Sequence, residues 1–155
     1  MSVHPARPEL AAVPPQGIVP PEQPRRREKW VFRRSDPAPA ELAYVKVSVM
    51  LRWGWGLPGA VADTAGKAAS ELADNAMRHT FSHKIAAAVS VSGGRVTVAV
   101  LDRGPSRLFP PPEEFGRGLR YVDQHAETWG HGLLCGGTLV RAAFRIGPAA
   151  PAEGP

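Results

Sequence analysis

The spacing of hydrophobic residues predicts two consecutive helices in the first half of the chain. Over residues 58–79, apolar side chains recur every three or four positions, which places them along one side of a helix. They are Val61, Ala65, Ala68, Leu72 and Ala76. Over 38–55 the same spacing relates Leu42, Val45, Val49 and Trp53, so we expect these four side chains to form a buried stripe. Gly54, Gly56 and Pro58 end that first helix.

Alternating and β-branched residues predict the strands. A short strand begins near Trp30, with Trp30 and Phe32 on one side. The runs 85–91 and 95–101 flank Ser92, Gly93 and Gly94, a typical hairpin signal. Two further strands are expected at 128–131 and 138–146. Between the two hairpins, a loop of about ten residues after Asp102 leads to a short helix that carries Leu119 and Val122.

The predicted order is therefore strand, two helices, hairpin, loop, short helix and hairpin. Consecutive helices combined with strands that pair with their neighbours favour an α+β fold. We expect a two-layer α/β sandwich, in which a mixed, mainly antiparallel sheet is covered on one face by helices. A doubly wound parallel sheet would need a regular alternation of strands and helices, which the chain lacks.

Composition divides the 155 residues into three parts. Nine of the 17 prolines lie in the first 40 residues, and that segment carries +3 of the net charge of +5. We predict a disordered Pro/Arg-rich extension over 1–28, a folded domain over 29–147 and a flexible tail over 148–155. The basic pI of about 10.0 thus describes mainly the extension and does not indicate a nucleic-acid-binding domain.

The remaining composition excludes several classes of protein. No apolar run reaches the length of a membrane-spanning helix, and the N-terminal residues carry charges and prolines where a secretory signal needs an apolar stretch. We therefore expect a cytoplasmic protein without a membrane partner. The single cysteine, Cys135, cannot form an internal disulfide and cannot alone build a zinc site.

Three short segments carry candidate chemistry. Glu71, Asn75 and His79 are spaced by four on one helix face, where an amide oxygen could join a Mg²⁺ site and a carboxylate could accept a proton. A solvated polar face is the simpler explanation for the glutamate and the histidine. Asp102 ends an apolar strand, where it could bind an exocyclic amine or simply form a turn. Glycines before the short helix are typical of a phosphate-binding backbone, although such pairs are frequent.

Taken in order, these segments resemble the GHKL (Bergerat-fold) ATPases, and most closely the small stand-alone serine/threonine kinases of the anti-sigma-factor type found in actinomycetes. The resemblance covers about residues 30–147. It is carried by the segments ELADNAMRH at 71–79, DRG at 102–104, GRGL at 116–119, WG at 129–130 and GGT at 136–138. The chain departs from the family around Ser106, where a second glycine is expected, and in its short, proline-rich lid.

The resemblance implies a role for each matching residue. Glu71 would be the general base and Asn75 the Mg²⁺ ligand. Asp102 and Thr138 would contact adenine, and Gly104 would lie under its ring. The residues expected near the phosphates or the lid are Arg78, His79, Gly116, Arg117, Gly118 and Leu119. The implied cofactors are ATP and Mg²⁺, and the implied fold is the Bergerat sandwich.

The function expected from this resemblance is phosphorylation of a serine or threonine on a protein antagonist, with a sigma factor, an anti-sigma-factor antagonist or both as partners and a homodimer as the assembly. The alternative is a regulator that binds ATP as a structural ligand and grips its partner with little or no turnover. A weaker hypothesis gives the basic stretch 25–30 a role in nucleic-acid binding. A solvated basic linker is a simpler explanation of that stretch.

Overall fold

The computed structural model describes residues 2–3, 26–79, 83–102, 116–134 and 136–147. In this part of the chain the strands are β1 (Ser2–Val3), β2 (Arg26–Arg33), β3 (Lys84–Ser92), β4 (Arg95–Asp102), β5 (Thr128–Leu134) and β6 (Gly137–Arg145). The helices are α1 (Pro39–Val49), α2 (Gly59–His79) and α3 (Arg117–His125), and a π-helical turn, Met50–Gly54, extends α1. None of these helices has the length and apolar character needed to cross a membrane.

The strands form one sheet in the order β1-β5-β6-β4-β3-β2, and every pair of neighbours is antiparallel. Helix α2 packs on β3, β4 and β6, while α1 and α3 pack against α2. The predicted α+β sandwich is thus confirmed. The hairpin between β3 and β4 is also confirmed, and Gly93 and Gly94 turn it with φ angles of 58° and 72°, which only glycine adopts without strain at two successive positions.

The hydrophobic core lies between the sheet and the helices. Alternate residues of β3 and β4 point toward the helices and are buried, because side chains on a strand alternate between the two faces of a sheet. Trp129 of β5 is the largest fully buried side chain, and its indole N–H donates a 3.0 Å hydrogen bond to Asp123 of α3. That bond ties the short helix to the sheet.

Helix α2 agrees with the prediction. Its buried residues include Ala65, Ala68, Leu72 and Ala76, and Val61 is partly buried against the core. Gly66 faces α1 so closely that a Cβ there would lie 3.0 Å from atoms of Tyr44 and Ser48. The glycine that weakens the helix locally therefore allows the two helices to approach one another.

The predicted buried stripe of α1 is wrong. Val45 and Val49 are each 48% exposed and Trp53 is 74% exposed, whereas Ala43, Val47 and Leu51 are fully buried. Only Leu42 of the predicted stripe packs on the core. Both sets follow the helical period, but the surface of α2 rich in alanine and glycine accepts the side of α1 that begins at Ala43.

The folded domain begins earlier than predicted. Strand β2 starts at Arg26 rather than near Trp30, so residues 26–28 of the predicted extension are paired with β3. Ser2 and Val3 also pair, with β5. The long β3 supplies partners along the whole of β2, which explains the additional pairs. The rest of the extension, the loop that follows Asp102 and the tail over 148–155 lie outside the described residues.

Candidate functional site

Helix α2 presents Glu71 and Asn75 on one half-buried face near its C-terminal end. The two residues are one helical turn apart, about 6 Å along the axis. Neither side chain forms a hydrogen bond or an ion pair with any residue that the structure describes. A half-buried amide without an internal partner is unusual in a helix, because asparagine favours caps and turns.

Gly118 brings the start of α3 against Glu71. A Cβ at position 118 would lie 2.5 Å from Oε2 of Glu71 and 3.3 Å from its Cβ. By contrast, a Cβ at Gly116 would meet nothing within 4 Å. Gly118 thus makes room for the carboxylate and holds the first turn of α3 beside it. The sequence assigned Gly118 to the phosphates, and nothing in the sequence signalled this second role.

Asp102 and Thr138 are direct partners in the pairing of β4 with β6. Asp102 is only 4% exposed, and it is the one charged residue that is buried in the described part of the chain. Thr138 is half-buried beside it. A carboxylate is costly to bury, so its position at the end of the core needs polar partners. The two residues that the resemblance assigned to adenine are adjacent in space.

The topology brings both pairs to the same end of the sheet. Helix α2 ends at His79, and β3 begins shortly afterwards at Lys84. Ile85 at the start of β3 pairs with Asp102 at the end of β4. The C-terminal half of α2 therefore runs toward the Asp102 end of the sheet, and α3 begins next to Glu71. Four elements that are distant in sequence converge there: α2, α3, β4 and β6.

The other predicted site residues differ in their exposure and in their contacts. Arg78 is exposed and forms a 2.9 Å ion pair with Asp74 on the same helix, while His79 is exposed at the end of α2. Arg117 is exposed at the start of α3. The side chain of Leu119 is 3% exposed within the core, so only its backbone could approach a nucleotide. Gly104 lies outside the described residues.

A polar network precedes Glu71 along α2. The Tyr44 hydroxyl donates a hydrogen bond to Asp63, and this bond, followed by one from Lys67, lowers the pKa of the Asp63 carboxyl. The hydrogen bond to Asp63 in turn raises the pKa of Lys67, whose ammonium lies 3.1 Å from the carboxylate. Lys67 is one turn before Glu71 but is engaged by Asp63. Among the described residues, no cation forms an ion pair with the Glu71 carboxylate.

The residues at this end of the sheet fit a nucleotide and a hard cation. A buried carboxylate beside a hydroxyl can recognise an exocyclic amine, and the start of α3 offers free backbone N–H groups to an anion. Mg²⁺ typically binds through one or two protein oxygens together with phosphate oxygens and water, and the amide oxygen of Asn75 could supply one. Within the described ranges, no group of three His, Cys, Asp or Glu side chains could hold a metal ion.

Comparison of the chain with protein-family models gives no match, and comparison with curated protein sequences gives no significant match. The grouping of the candidate residues therefore rests on geometry. Two pairs of residues, Asp102 with Thr138 and Glu71 with Gly118, are in contact or directly paired. Sequence spacing alone could not show either pairing.

Proposed function

We propose that the protein binds ATP with Mg²⁺ and transfers the γ-phosphoryl group to a serine or threonine of a protein partner. The direct pairing of buried Asp102 with Thr138 and the close approach of Gly118 to Glu71 are the observations that support this proposal most strongly. A Bergerat-type ATP site needs these groups, and the topology supplies them from four separate elements.

Each residue has a distinct task in the proposed site. The Asp102 carboxylate accepts a hydrogen bond from the adenine amine, with the Thr138 hydroxyl beside it. The Asn75 amide oxygen contributes to Mg²⁺ coordination. Backbone N–H groups at Gly116 and Gly118 face the phosphates at the start of α3, where the helix dipole favours an anion. Bound Mg²⁺ neutralises charge on the phosphate oxygens, and the protein contributes mainly position and electrostatics.

Glu71 is the proposed general base. Its carboxylate accepts the proton of the attacking hydroxyl as the new bond forms between that oxygen and the γ-phosphorus, and the bond to the β-γ bridging oxygen breaks to release ADP. Glu71 forms no ion pair among the described residues, so its carboxylate oxygens are not already engaged by a cation there. Gly118 leaves room for the carboxylate beside the first turn of α3.

The proposed partner is a sigma factor or the antagonist of an anti-sigma factor, and the proposed setting is transcription regulation in the cytoplasm, with the protein acting as a homodimer. These proposals rest on the resemblance of the motifs at 71–79, 102–104 and 116–119 to the anti-sigma-factor kinases. The regulator with little turnover is the alternative, and it shares the same nucleotide site.

Incubation with γ-labelled ATP and purified candidate partners tests the kinase directly. We expect label on a serine or threonine of one partner, and we expect Glu71→Gln to slow transfer by about 100-fold to 10,000-fold because a positioned base is lost. Binding of ATP should change little. Glu41→Gln, an exposed change on α1, is the matched control and should transfer at the normal rate.

Two results would contradict the assignment. Transfer by Glu71→Gln at the rate of the unmodified protein would remove Glu71 as the base. An ATP-dependent complex with a partner that never becomes labelled would contradict the kinase and favour the ATP-liganded regulator.

A further inference from the structure

The face of the sheet that points away from the helices has an unusual composition. We call it the open face. Its residues on β2, β3, β4 and β6 alternate along each strand with the residues that point into the core. They are Arg27, Lys29, Val31, Arg33, Lys84, Ala86, Ala88, Ser90, Ser92, Arg95, Thr97, Ala99, Leu101, Leu139, Arg141, Ala143 and Arg145. Small side chains therefore form its floor, and cations lie along its sides. The candidate nucleotide site is built on the other face.

Three cations around the middle of the open face have no anionic partner among the described residues. Arg27, Lys29 and Arg141 form no ion pair with any residue in the described ranges. At one end of the same face, Arg95 and Arg145 are opposite each other on neighbouring strands, and both bind Glu127 at 2.8 Å and 3.2 Å. The fold thus neutralises one pair of cations internally. Arg27, Lys29 and Arg141 have no such internal partner within the described ranges.

The strand register gives these cations a defined spacing. One row across the sheet consists of Lys29, Ala88, Ala99 and Arg141. Lys29 and Arg141 are three strands apart, so their backbones are separated by about 14 Å. The two alanines between them form the floor of a depression of about 620 Å³, and none of the described residues that line it is an Asp or a Glu. The depression is therefore shallow in the middle and positive at both sides.

The next row of the open face is apolar. Val31, Ala86, Leu101 and Leu139 are aligned across the same four strands. Val31 is 56% exposed, and Leu134, which also lines the depression, is 45% exposed. An exposed apolar row beside unpaired cations is typical of a binding surface rather than of a solvated sheet face. A ligand for it must combine apolar and anionic groups.

We propose that the open face binds an acidic amphipathic helix of a protein partner. A helix with its side chains is about 10–12 Å across, which matches the separation of about 14 Å between the flanking cations. Its apolar side would rest on the alanine and leucine floor, and its carboxylates would reach Lys29 on one side and Arg141 on the other. The bound helix would give the sheet a second covering layer.

Nucleic acid fits this surface less well. Single strands bind strongly where bases stack on aromatic rings, and the open face has no aromatic residue among those described. Trp30 lies on the opposite side of β2 and packs on the core, and the Arg26 guanidinium donates a hydrogen bond to the carbonyl oxygen of Trp55. The basic stretch noted in the sequence therefore offers Arg27 and Lys29 without a stacking platform.

The chain's own segment 4–25 also fits poorly. It contains seven prolines, which oppose helix formation, and its two arginines are balanced by two glutamates. A partner helix with an excess of carboxylates complements the three cations better. This inference does not depend on nucleotide binding, because the residues that carry it all lie on the side of the sheet opposite to Asp102.

A fluorescent 16-residue helical peptide tests the proposal with the full-length protein. Leucines at spacings of three and four form one side of the probe and glutamates the other, and a second probe has lysines in place of the glutamates. We expect the acidic probe to bind and to shift the NMR signals of the Ala88 and Ala99 methyl groups. The Lys29→Glu/Arg141→Glu variant should bind it at least tenfold more weakly.

The matched control is Lys46→Glu/Arg120→Glu, which changes the net charge equally on exposed helix residues. It should bind the acidic probe within about threefold of the unmodified protein, and circular dichroism should show that both variants are folded. Equal binding by the two double variants, or equal binding of the lysine probe, would overturn the proposal. Failure of the acidic probe to bind would also overturn it.

Other occupants give different results in the same assay. If a 16-nucleotide oligo(dT) or phosphatidylserine vesicles bound more tightly than the acidic peptide, the open face would be assigned to nucleic acid or to a lipid surface. Shifts of the Ala88 and Ala99 signals that depend on protein concentration alone would assign the face to a second copy of the chain. Nuclear Overhauser contacts from residues 4–25 to these methyl groups would assign it to the chain's own segment. Each of these results would contradict the proposed partner helix.

Discussion

The two faces of the sheet differ in almost every property, although they are built from the same strands. In β4, Val98 and Val100 are buried under α2, while Ala99 and Leu101 between them lie on the open face. The covered face carries bulky side chains and ends at the buried Asp102. The open face carries small side chains and unpaired cations. Alternation along a strand thus allows one sheet to support a nucleotide site and a separate binding surface.

This separation makes the effects of mutation distinguishable. Changes on the covered face should alter stability or nucleotide chemistry, because its residues pack under the helices or form the site. Changes on the open face should leave both intact. The comparison fails if substitutions on the two faces have equal effects.

The largest expected difference concerns packing. Trp129→Ala should lower the free energy of unfolding by about 3–5 kcal/mol, because it removes the largest fully buried side chain and leaves a cavity. Val31→Ala on the open face, where the side chain is 56% exposed, should lower it by less than about 0.5 kcal/mol. Urea unfolding measures both, and similar losses would show that the open face is packed.

A smaller effect is expected where α3 meets α2. Gly118→Ala should displace the Glu71 carboxylate, since the new methyl group would lie 2.5 Å from its Oε2. Phosphoryl transfer should fall by about 10-fold to 100-fold, because a base displaced by about 1 Å acts poorly. Gln124→Ala, an exposed change further along the same helix, is the control. Equal rates in the two variants would show that Gly118 does not position Glu71.

The smallest effect concerns acid stability. Hydrogen bonds from Arg145 and then Arg95 lower the pKa of Glu127 from its ordinary value of 4.5. Because the pKa is lower in the folded state, the ionised carboxylate stabilises the fold when the pH is above the ordinary pKa. This contribution is lost as the pH falls through the folded-state pKa. Glu127→Gln should therefore be less stable by about 1 kcal/mol at pH 7 and should match the unmodified protein in strong acid. A difference that persists unchanged at low pH would contradict this account.

Much of the fold could be predicted because local and tertiary preferences agree. Helix α2 has a single apolar side, and the glycine pair at the hairpin needs positive φ angles, so both were correct. The position of α1 was predicted correctly, but its buried side was not, because the helix has two apolar stripes and only the shape of α2 determines which one is buried. The start of β2 depends on the length of β3, which no local pattern reveals.

The candidate site was predicted only in part for similar reasons. Helical spacing aligned Glu71 with Asn75, but the pairing of Asp102 with Thr138 depends on the register between β4 and β6. The contact between Gly118 and Glu71 depends on how α3 packs on α2. The three cations of the open face are ordinary surface charges in the sequence, and only the register aligns Lys29 with Arg141 across the sheet.

Isothermal titration of the protein with ATP, with and without Mg²⁺, tests the proposed nucleotide site most directly. We expect one ATP per chain with an affinity that Mg²⁺ increases, and we expect Asn75→Ala to bind ATP equally in both conditions because it lacks the amide oxygen that joins the metal site. The account would be contradicted if the unmodified protein did not bind ATP. It would also be contradicted if Mg²⁺ increased the ATP affinity of the Asn75→Ala variant as much as it increases that of the unmodified protein.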